Sequence, residues 1–331
     1  MTATYTLTQQ IKSEARRLGF FACGMAEAQP VTDEARHELT QWLQQQGHAD
    51  MQYMENYTQQ RLDPRQLMPE AKTVVSLAMN YTPTHHMPAD SYQIAAYAYG
   101  KDYHDIVRQR LYSLLAFVQQ QDAAVQGRVC CDTAPILERY WAQQAGIGWI
   151  GRHHQLIIPP HTTPDGQQQG GGTMFFLGEL LLNIALDYDH PMPNRCGTCS
   201  RCVDACPTKA LSHQVFQAEL CLSYQLIENR NELSQQARRH MGNNIYGCDR
   251  CQQACPWNRF ATPTHIEELQ PSPALLAMTD EQWEQLDEDT YRTLFKGSAV
   301  KRAKYAGLMR NIQAARQEKE KDNPTGSAAK G

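Results

Sequence analysis

The sequence predicts an α+β protein in which a sheet-containing domain of residues 1–190 precedes a compact cysteine-rich module of residues 191–262. Three observations predict it. Through the first 190 positions, segments with apolar residues at helical spacing alternate with short runs that read as strands, the pattern of helices packed on a central sheet. Eight of the 11 cysteines then fall between Cys196 and Cys255, where the composition changes abruptly. Finally, the charge changes sign near residue 290: residues 280–289 carry six acids, whereas residues 291–317 carry Arg292, Lys296, Lys301, Arg302, Lys304, Arg310 and Arg316 and no acid.

A chain of 331 residues, 41% apolar and 20% charged, is globular and has room for about two domains. Its net charge of −4 gives no overall attraction to a polyanion, so such a partner needs a local basic patch. The longest apolar stretch, residues 174–186, is interrupted by Gly178, Glu179 and Asn183 and is shorter than the ~20 residues of a membrane helix.

The first helix is expected over 7–18, where Leu7, Ile11, Ala15 and Leu18 share a face and Gly19 suits the C-cap. Arg16-Arg17 ahead of residues 18–26 superficially matches a twin-arginine export signal. The helical pattern, with a strand over 20–25 behind it, favours a cytoplasmic protein instead. Further helices are expected over 33–46 with Thr32 as N-cap, 104–121 on the stripe of Ile106, Val107, Leu111, Leu114, Leu115 and Val118, and 135–146. Strands are expected over 73–80, 93–98, 128–131, 155–158, 174–177 and 180–186, with a flexible Gln/Gly loop over 166–172. Residues 263–316 read as a helical basic extension and 317–331 as a disordered tail.

Cys196-x2-Cys199-x2-Cys202-x3-Cys206-Pro207 is the spacing in which three thiolates wrap one [4Fe–4S] cube and the fourth reaches over to a second. The second run, Cys248-x2-Cys251-x3-Cys255-Pro256, is one cysteine short, and Cys221 can supply it. By that crossover, Cys196, Cys199, Cys202 and Cys255 hold cluster one, and Cys206, Cys221, Cys248 and Cys251 hold cluster two. Zinc would use only four thiolates and leave both Cys-Pro pairs unexplained. The grouping belongs to a reducing compartment, and two neighbouring cubes form a wire for single electrons. Cys23, Cys130 and Cys131 read as packed thiols.

The wire must feed the domain ahead of it. Gly146-x-Gly148-x-x-Gly151 has dinucleotide-binding spacing but follows a helix rather than a strand, which excludes a Rossmann turn. Asp132-Thr-Ala-Pro135 leaves a strand and opens a helix, a context for Asp132 as N-cap with Pro135 in the first turn.

Asp132-Thr-Ala-Pro-Ile-Leu-Glu-Arg139, Ala145-Gly-Ile-Gly-Trp-Ile-Gly151, Phe176-Leu-Gly-Glu-Leu180, the first cysteine run, Gly247-Cys-Asp-Arg-Cys-Gln-Gln-Ala-Cys-Pro-Trp-Asn258 and Gly297-Ser-Ala-Val-Lys-Arg302 together resemble the epoxyqueuosine reductases. The match is in order and spans residues from about 5 to about 315. The resemblance implies a nitroreductase-like cobalamin-binding domain joined to a ferredoxin-like domain with two [4Fe–4S] clusters. It implies reduction of the epoxide of epoxyqueuosine at the tRNA wobble position to queuosine, electrons passing from the clusters to cobalamin and Asp132 donating a proton. An Asp with a free pKa of ~3.9 would need a rise of about 3 units to act as an acid at pH 7, which desolvation beneath a corrin face could provide. By the same resemblance, Asn56, Tyr97, Asp132, Gly151, His154, Leu177 and Ser223 line the corrin pocket. The cobalamin is base-off, with no protein histidine on cobalt. This agrees with Asp102-Tyr-His104 being followed by Val107 where the Asp-x-His-x-x-Gly signature needs glycine.

The implied partners are an anticodon stem–loop carrying epoxyqueuosine and a low-potential electron donor of unidentified nature, acting on a monomer. Basic residues for the tRNA are Lys209, Arg238, Arg239, Arg259, Lys301 and Arg302. Two other readings use parts of the same pattern: a reductive dehalogenase-like cobalamin enzyme and a ferredoxin-type electron carrier.

Overall fold

The computed structural model describes residues 3–162, 166–211 and 215–322. Strands Ala22–Glu27, Thr73–Asn80, Phe175–Leu182 and Gly127–Cys130, in that spatial order, form a four-stranded sheet in which every pairing is antiparallel. Its two central strands are buried along nearly their whole length because helices cover both faces. Val75, Leu77, Met79, Leu180 and Leu182 meet Val107, Leu111 and Leu114 of the helix Tyr103–Gln121. Val74 and Leu181, one residue out of phase, pack with Trp141 of the helix Glu138–Gln144 on the opposite face.

Several expected boundaries hold. Thr32 caps Asp33–Gln44 by accepting from the Ala35 amide, and Asp102 caps Tyr103–Gln121 by accepting from His104. Other expectations are corrected. The strands expected over 174–177 and 180–186 are one strand, because Gly178 serves helix packing rather than a break: a Cβ there would lie 2.8 Å from Val107 Cγ1 and 2.9 Å from Leu111 Cδ1. Gly178→Ala should therefore destabilise the protein by about 1–3 kcal/mol through overpacking, measured as a lowered midpoint in urea. The strand expected over 93–98 ends at Ile94, pairs in parallel with Asn244–Tyr246 and gives way to a 3-10 turn at Ala96–Ala98. Within the 166–172 loop, Gln168–Gln169 pairs with His161–Thr162, and the Gly170 N–H donates to Phe260 O.

The C-terminal helix continues as Lys304–Asp322, so residues 317–322 are helical rather than the start of a tail; Arg316 and Lys319 meet Glu284 and Asp280. Residues 323–331 lie outside the described residues.

The division near residue 190 does not separate two cores. One apolar cluster runs from Ile11 through the cysteine-rich region to Ala315. Polar ties reinforce it: Asp189 accepts from Lys12 at 2.7 Å and from the Met25 amide at 2.9 Å, and Trp42 donates to Phe216 O at 2.8 Å. Gln252 joins Tyr81 and Thr173 beneath the second cysteine run. The sheet thus carries the cysteine-rich module as part of its own packing.

Candidate functional site

The Gly127–Cys130 strand delivers Cys131 and Asp132 to one end of the sheet. Asp132 does not cap the following helix, which starts only at Glu138 with Leu137 at its N-cap. Instead Asp132 adopts a left-handed backbone with φ of 51°, unusual for a residue with a Cβ. Three contacts hold it. Its N–H donates to Glu138 Oε1 at 2.5 Å, its carboxylate Oδ2 is 2.8 Å from His104 Nε2, and Thr133 beside it accepts from Arg108 at 2.7 Å. The other ring nitrogen, His104 Nδ1, lies 2.6 Å from Asp102 Oδ1. His104 stacks on Tyr103, which stacks flat on Phe176, so the ring is fixed from the side as well.

Burial lowers the His104 pKa, but hydrogen bonds from Asp102 and Asp132 outweigh it and raise the value to about 9. His104 is therefore an imidazolium at neutral pH, donating to a carboxylate on each side. Asp132 is half exposed, and its carboxylate faces the charged His104 ring. Because both nitrogens of His104 are engaged, it cannot also ligate a metal. Beneath this group, burial and then the Asp132 charge push Glu138 above the usual carboxylate range. Glu179, fully buried, is pushed up by burial and by Glu138; Ser76 donates to it at 3.3 Å. Glu179 lies in the sheet on the face covered by Glu138–Gln144.

The other corrin candidates are more dispersed. Tyr97 bonds Tyr246 at 3.0 Å and meets Tyr103 edge-on, which places it in the aromatic layer behind His104. Leu177 is buried, and its carbonyl accepts from the Cys131 thiol. Gly151 is buried against Ile157 and His153, whereas His154 has φ of 60°, faces Phe216 and accepts through its carbonyl from Arg139. Asn56 is exposed beside Tyr57, and Ser223 lies in the helix Leu222–Ile227 directly after Cys221. Asp132, Tyr97 and Leu177 are thus linked through His104, Tyr103 and Cys131, whereas Asn56 precedes the helix Thr58–Leu62 and Ser223 follows Cys221 in the cysteine-rich region.

The cysteines fall into two groups of four. Cys196, Cys199, Cys202 and Cys255 line one cavity of about 200 Å³ with His153, Ile157, Trp257, Arg152, Arg195 and Arg259. Trp149 and Trp257 pack edge-to-face behind it at 4.8 Å. Cys206, Cys221, Cys248 and Cys251 form the second group, each thiolate raising the cost of ionising its neighbours. Burial and then neighbouring thiolates push Cys255 and Cys248 up to about 11. Such crowded thiols fit a cationic group that stabilises all four as thiolates. Among the described residues no three potential ligands converge as they would on a single ion.

The basic candidates divide. Arg302 makes a bidentate pair with Glu228 at 2.7 and 2.8 Å and lies 5.7 Å from the centre of the Tyr53 ring. Arg238 is paired with Glu232 at 2.6 Å, and Arg259 belongs to the cysteine cavity while packing over Phe260. Lys209 donates to Asp204 O at 3.2 Å, and Arg239 and Lys301 are exposed. Arg310 is consumed by the carbonyls of Gln225, Asn229 and Asn231, so the acid-free stretch is partly a structural girdle.

The sequence reading missed Asp102 and His104 as partners of Asp132, having weighed them only as a failed cobalt-ligand signature. It also missed Glu138 and the exposed ring of Tyr53, which feels the charge of Asp132. Asp102 stands at the helix start and His104 in its first turn, but nothing local in the sequence ties either to Asp132, 28 positions on from His104.

An antiparallel α+β domain that gathers carboxylates around one histidine and is packed on two four-thiol groups has the make-up of an iron–sulfur oxidoreductase. Comparison with known proteins makes this specific. The family profile described as "Epoxyqueuosine reductase QueG, DUF1730" matches residues 61–133, and that of a "4Fe-4S double cluster binding domain" matches residues 195–258. The chain is 43% identical over 304 residues to the epoxyqueuosine reductase of Cellulophaga algicola, covering 91% of this chain and 95% of that protein. With the Escherichia coli K12 epoxyqueuosine reductase it is 35% identical over 316 residues, covering 93% and 80%. A crystal structure of an epoxyqueuosine reductase with an epoxyqueuosine-modified tRNA-Tyr stem loop superposes with a TM-score of 0.83 at 25% identity, covering 95% of this chain and 82% of that one. The chain belongs to the epoxyqueuosine reductase family, oxidoreductases of tRNA modification.

Proposed function

We propose that, in reducing epoxyqueuosine at the wobble position to queuosine, this chain uses Asp132 and His104 together as the proton source, and that its two thiol groups hold [4Fe–4S] clusters feeding a base-off cobalamin. The observation that carries the reading is the hydrogen-bonded series Asp102, His104, Asp132, which sets a charged imidazolium behind an accessible carboxylate. Converting an epoxide to an alkene consumes two electrons and two protons and releases one water. The His104 imidazolium supplies the proton that leaves with the oxygen, relayed through the Asp132 carboxylate, Asp102 holds the ring and its charge, and the second proton that completes the water comes from solvent. Bound cobalamin would supply a low-potential cobalt nucleophile, recharged one electron at a time by the clusters. Asp132, Tyr97 and Leu177, linked through His104, Tyr103 and Cys131, would line the site that holds it, and His104, paired with two carboxylates, would act on protons rather than as a metal ligand there. The sheet domain is assigned a nitroreductase-like fold on the family resemblance.

The test is anaerobic reconstitution with iron, sulfide and cobalamin, dithionite reduction, and conversion of a stem–loop carrying epoxyqueuosine, read as loss of one oxygen by mass spectrometry. No conversion by fully loaded enzyme would remove the reading. The pH dependence has a definite sign. The donating form of His104 is present below about 9, so the single-turnover rate should fall as pH rises through that value, and His104→Gln should slow the reaction and erase that alkaline limb.

For tRNA, the free charges Lys301 and Arg239, with Lys209, Arg238, Arg259 and Arg302 at the margins, form the basic surface. Lys301→Glu should weaken stem–loop binding and flatten its log–log salt slope by about 0.7–0.9. An unchanged slope would take Lys301 out of the interface. Among the described residues no helix is long and apolar enough to cross a membrane. The proposed setting is the cytoplasm, with the chain acting as a monomer supplied by a separate low-potential donor.

A further inference from the structure

We propose that Glu138 is a positioning residue, a latch whose carboxylate holds the Asp132 loop in the left-handed turn that presents Asp132 to His104. The inference rests on the acid role of Asp132 given above. Asp132 sits at φ of 51°, a conformation a residue with a Cβ avoids unless its surroundings impose it. The imposing contact is the 2.5 Å bond from the Asp132 N–H to Glu138 Oε1, which joins the loop to the first turn of the Glu138–Gln144 helix. Between them the backbone makes short local bonds, Thr133 N–H to Cys131 O and Ile136 N–H to Ala134 O, Arg108 holds Thr133, and Ile136 is buried in the core, so the Glu138 contact is the one that acts on the Asp132 amide itself. The helix itself is anchored by buried Trp141 and Ala142, so Glu138 refers the loop to a rigid element.

The placement is costly in charge. Glu138 stands among Asp132, Glu179 and His104, with Arg139 beside it in the chain, and burial together with the Asp132 carboxylate disfavours its ionised form. A carboxylate kept there against that cost, with an oxygen aimed at one backbone amide, is explained by the geometry it imposes. The function needs only the acceptor oxygen, and an amide oxygen in the same place would serve.

Hydrogen exchange and single-turnover kinetics on holoenzyme test this. In Glu138→Ala, the amides of residues 132, 133, 134 and 136 should exchange about 10-fold faster, and the rate of pre-reduced enzyme should fall about 10–100-fold, with stem–loop affinity and iron content unchanged. Glu138→Gln, which keeps the acceptor and removes a crowded charge, should hold both measures within about 3-fold of wild type. Unchanged exchange in Glu138→Ala, or exchange in Glu138→Gln as fast as in Glu138→Ala, would overturn the latch. If Glu138→Ala does not fold, the Gln variant alone decides: exchange at residues 132, 133, 134 and 136 more than about 3-fold faster than in wild type overturns it. Asp132→Asn separates the two ideas, since it keeps the latched amide. Slow exchange with lost turnover supports both, whereas slow exchange with retained turnover defeats the acid role and leaves the latch without a catalytic purpose.

Discussion

Asp132→Asn is expected to lower the single-turnover rate of pre-reduced, cobalamin-loaded enzyme by about 10²–10⁴-fold, with bound iron, cobalamin and stem–loop affinity essentially unchanged. The substitution is nearly isosteric. Its backbone N–H can still bond Glu138, and its side-chain oxygen can still accept from His104 Nε2, so the loop keeps its shape. What is lost is a group that can be protonated and pass that proton on. Because His104 is held as an imidazolium by two carboxylates, removing one of them also lowers its pKa, moving the residual alkaline limb below about 9. A variant with a near-normal rate and an unmoved limb would reduce Asp132 to a residue of the turn. His104→Gln gives the complementary result, since it leaves the carboxylate but removes the group that recharges it.

Much of this site was legible in the sequence, and the parts that were not share a physical reason. The cysteine spacing predicts the two groups of four because thiolates around a cube must come from short turns at fixed offsets, a local constraint. The long helix was legible because its apolar stripe is continuous. Asp132 was picked out, but its context was misread. An Asp followed by Thr-Ala-Pro reads locally as a cap, and only the tertiary arrangement of Glu138 and His104 turns it into a left-handed residue outside the helix. His104 lies 28 positions from Asp132, and no local pattern joins them. The basic stretch shows the converse error. Counting its charges ignores that Glu228 and three carbonyls had claimed Arg302 and Arg310, contacts reaching back 74 to 85 positions. Similarly, Gly178 and the Gln/Gly loop looked like interruptions because glycine signals a break when its neighbours are unknown.

Cys255→Ser is expected to disable the cluster of the first run, although Cys255 stands in the second. Three cysteines within seven positions form an open cup that needs a fourth thiolate from elsewhere, and the structure turns the Cys255 side chain, buried beside Trp257, into the cavity of Cys196, Cys199 and Cys202. Cys206, four positions after Cys202, instead acts electrostatically on Cys221 and Cys251. Iron should accordingly fall from about eight per chain toward about four in Cys255→Ser, and likewise in Cys221→Ser, with a different cluster signal surviving in each. Turnover driven by an external reductant should collapse in both, because a wire broken at either cube delivers no electrons. The decisive comparison is electron paramagnetic resonance of the two reduced variants after identical anaerobic reconstitution. Complementary surviving signals require the crossover. Two identical signals would mean that the runs hold their own cubes and that the grouping of thiols described here is not the grouping of ligands, and iron remaining near eight in either variant would release that cysteine from ligation altogether.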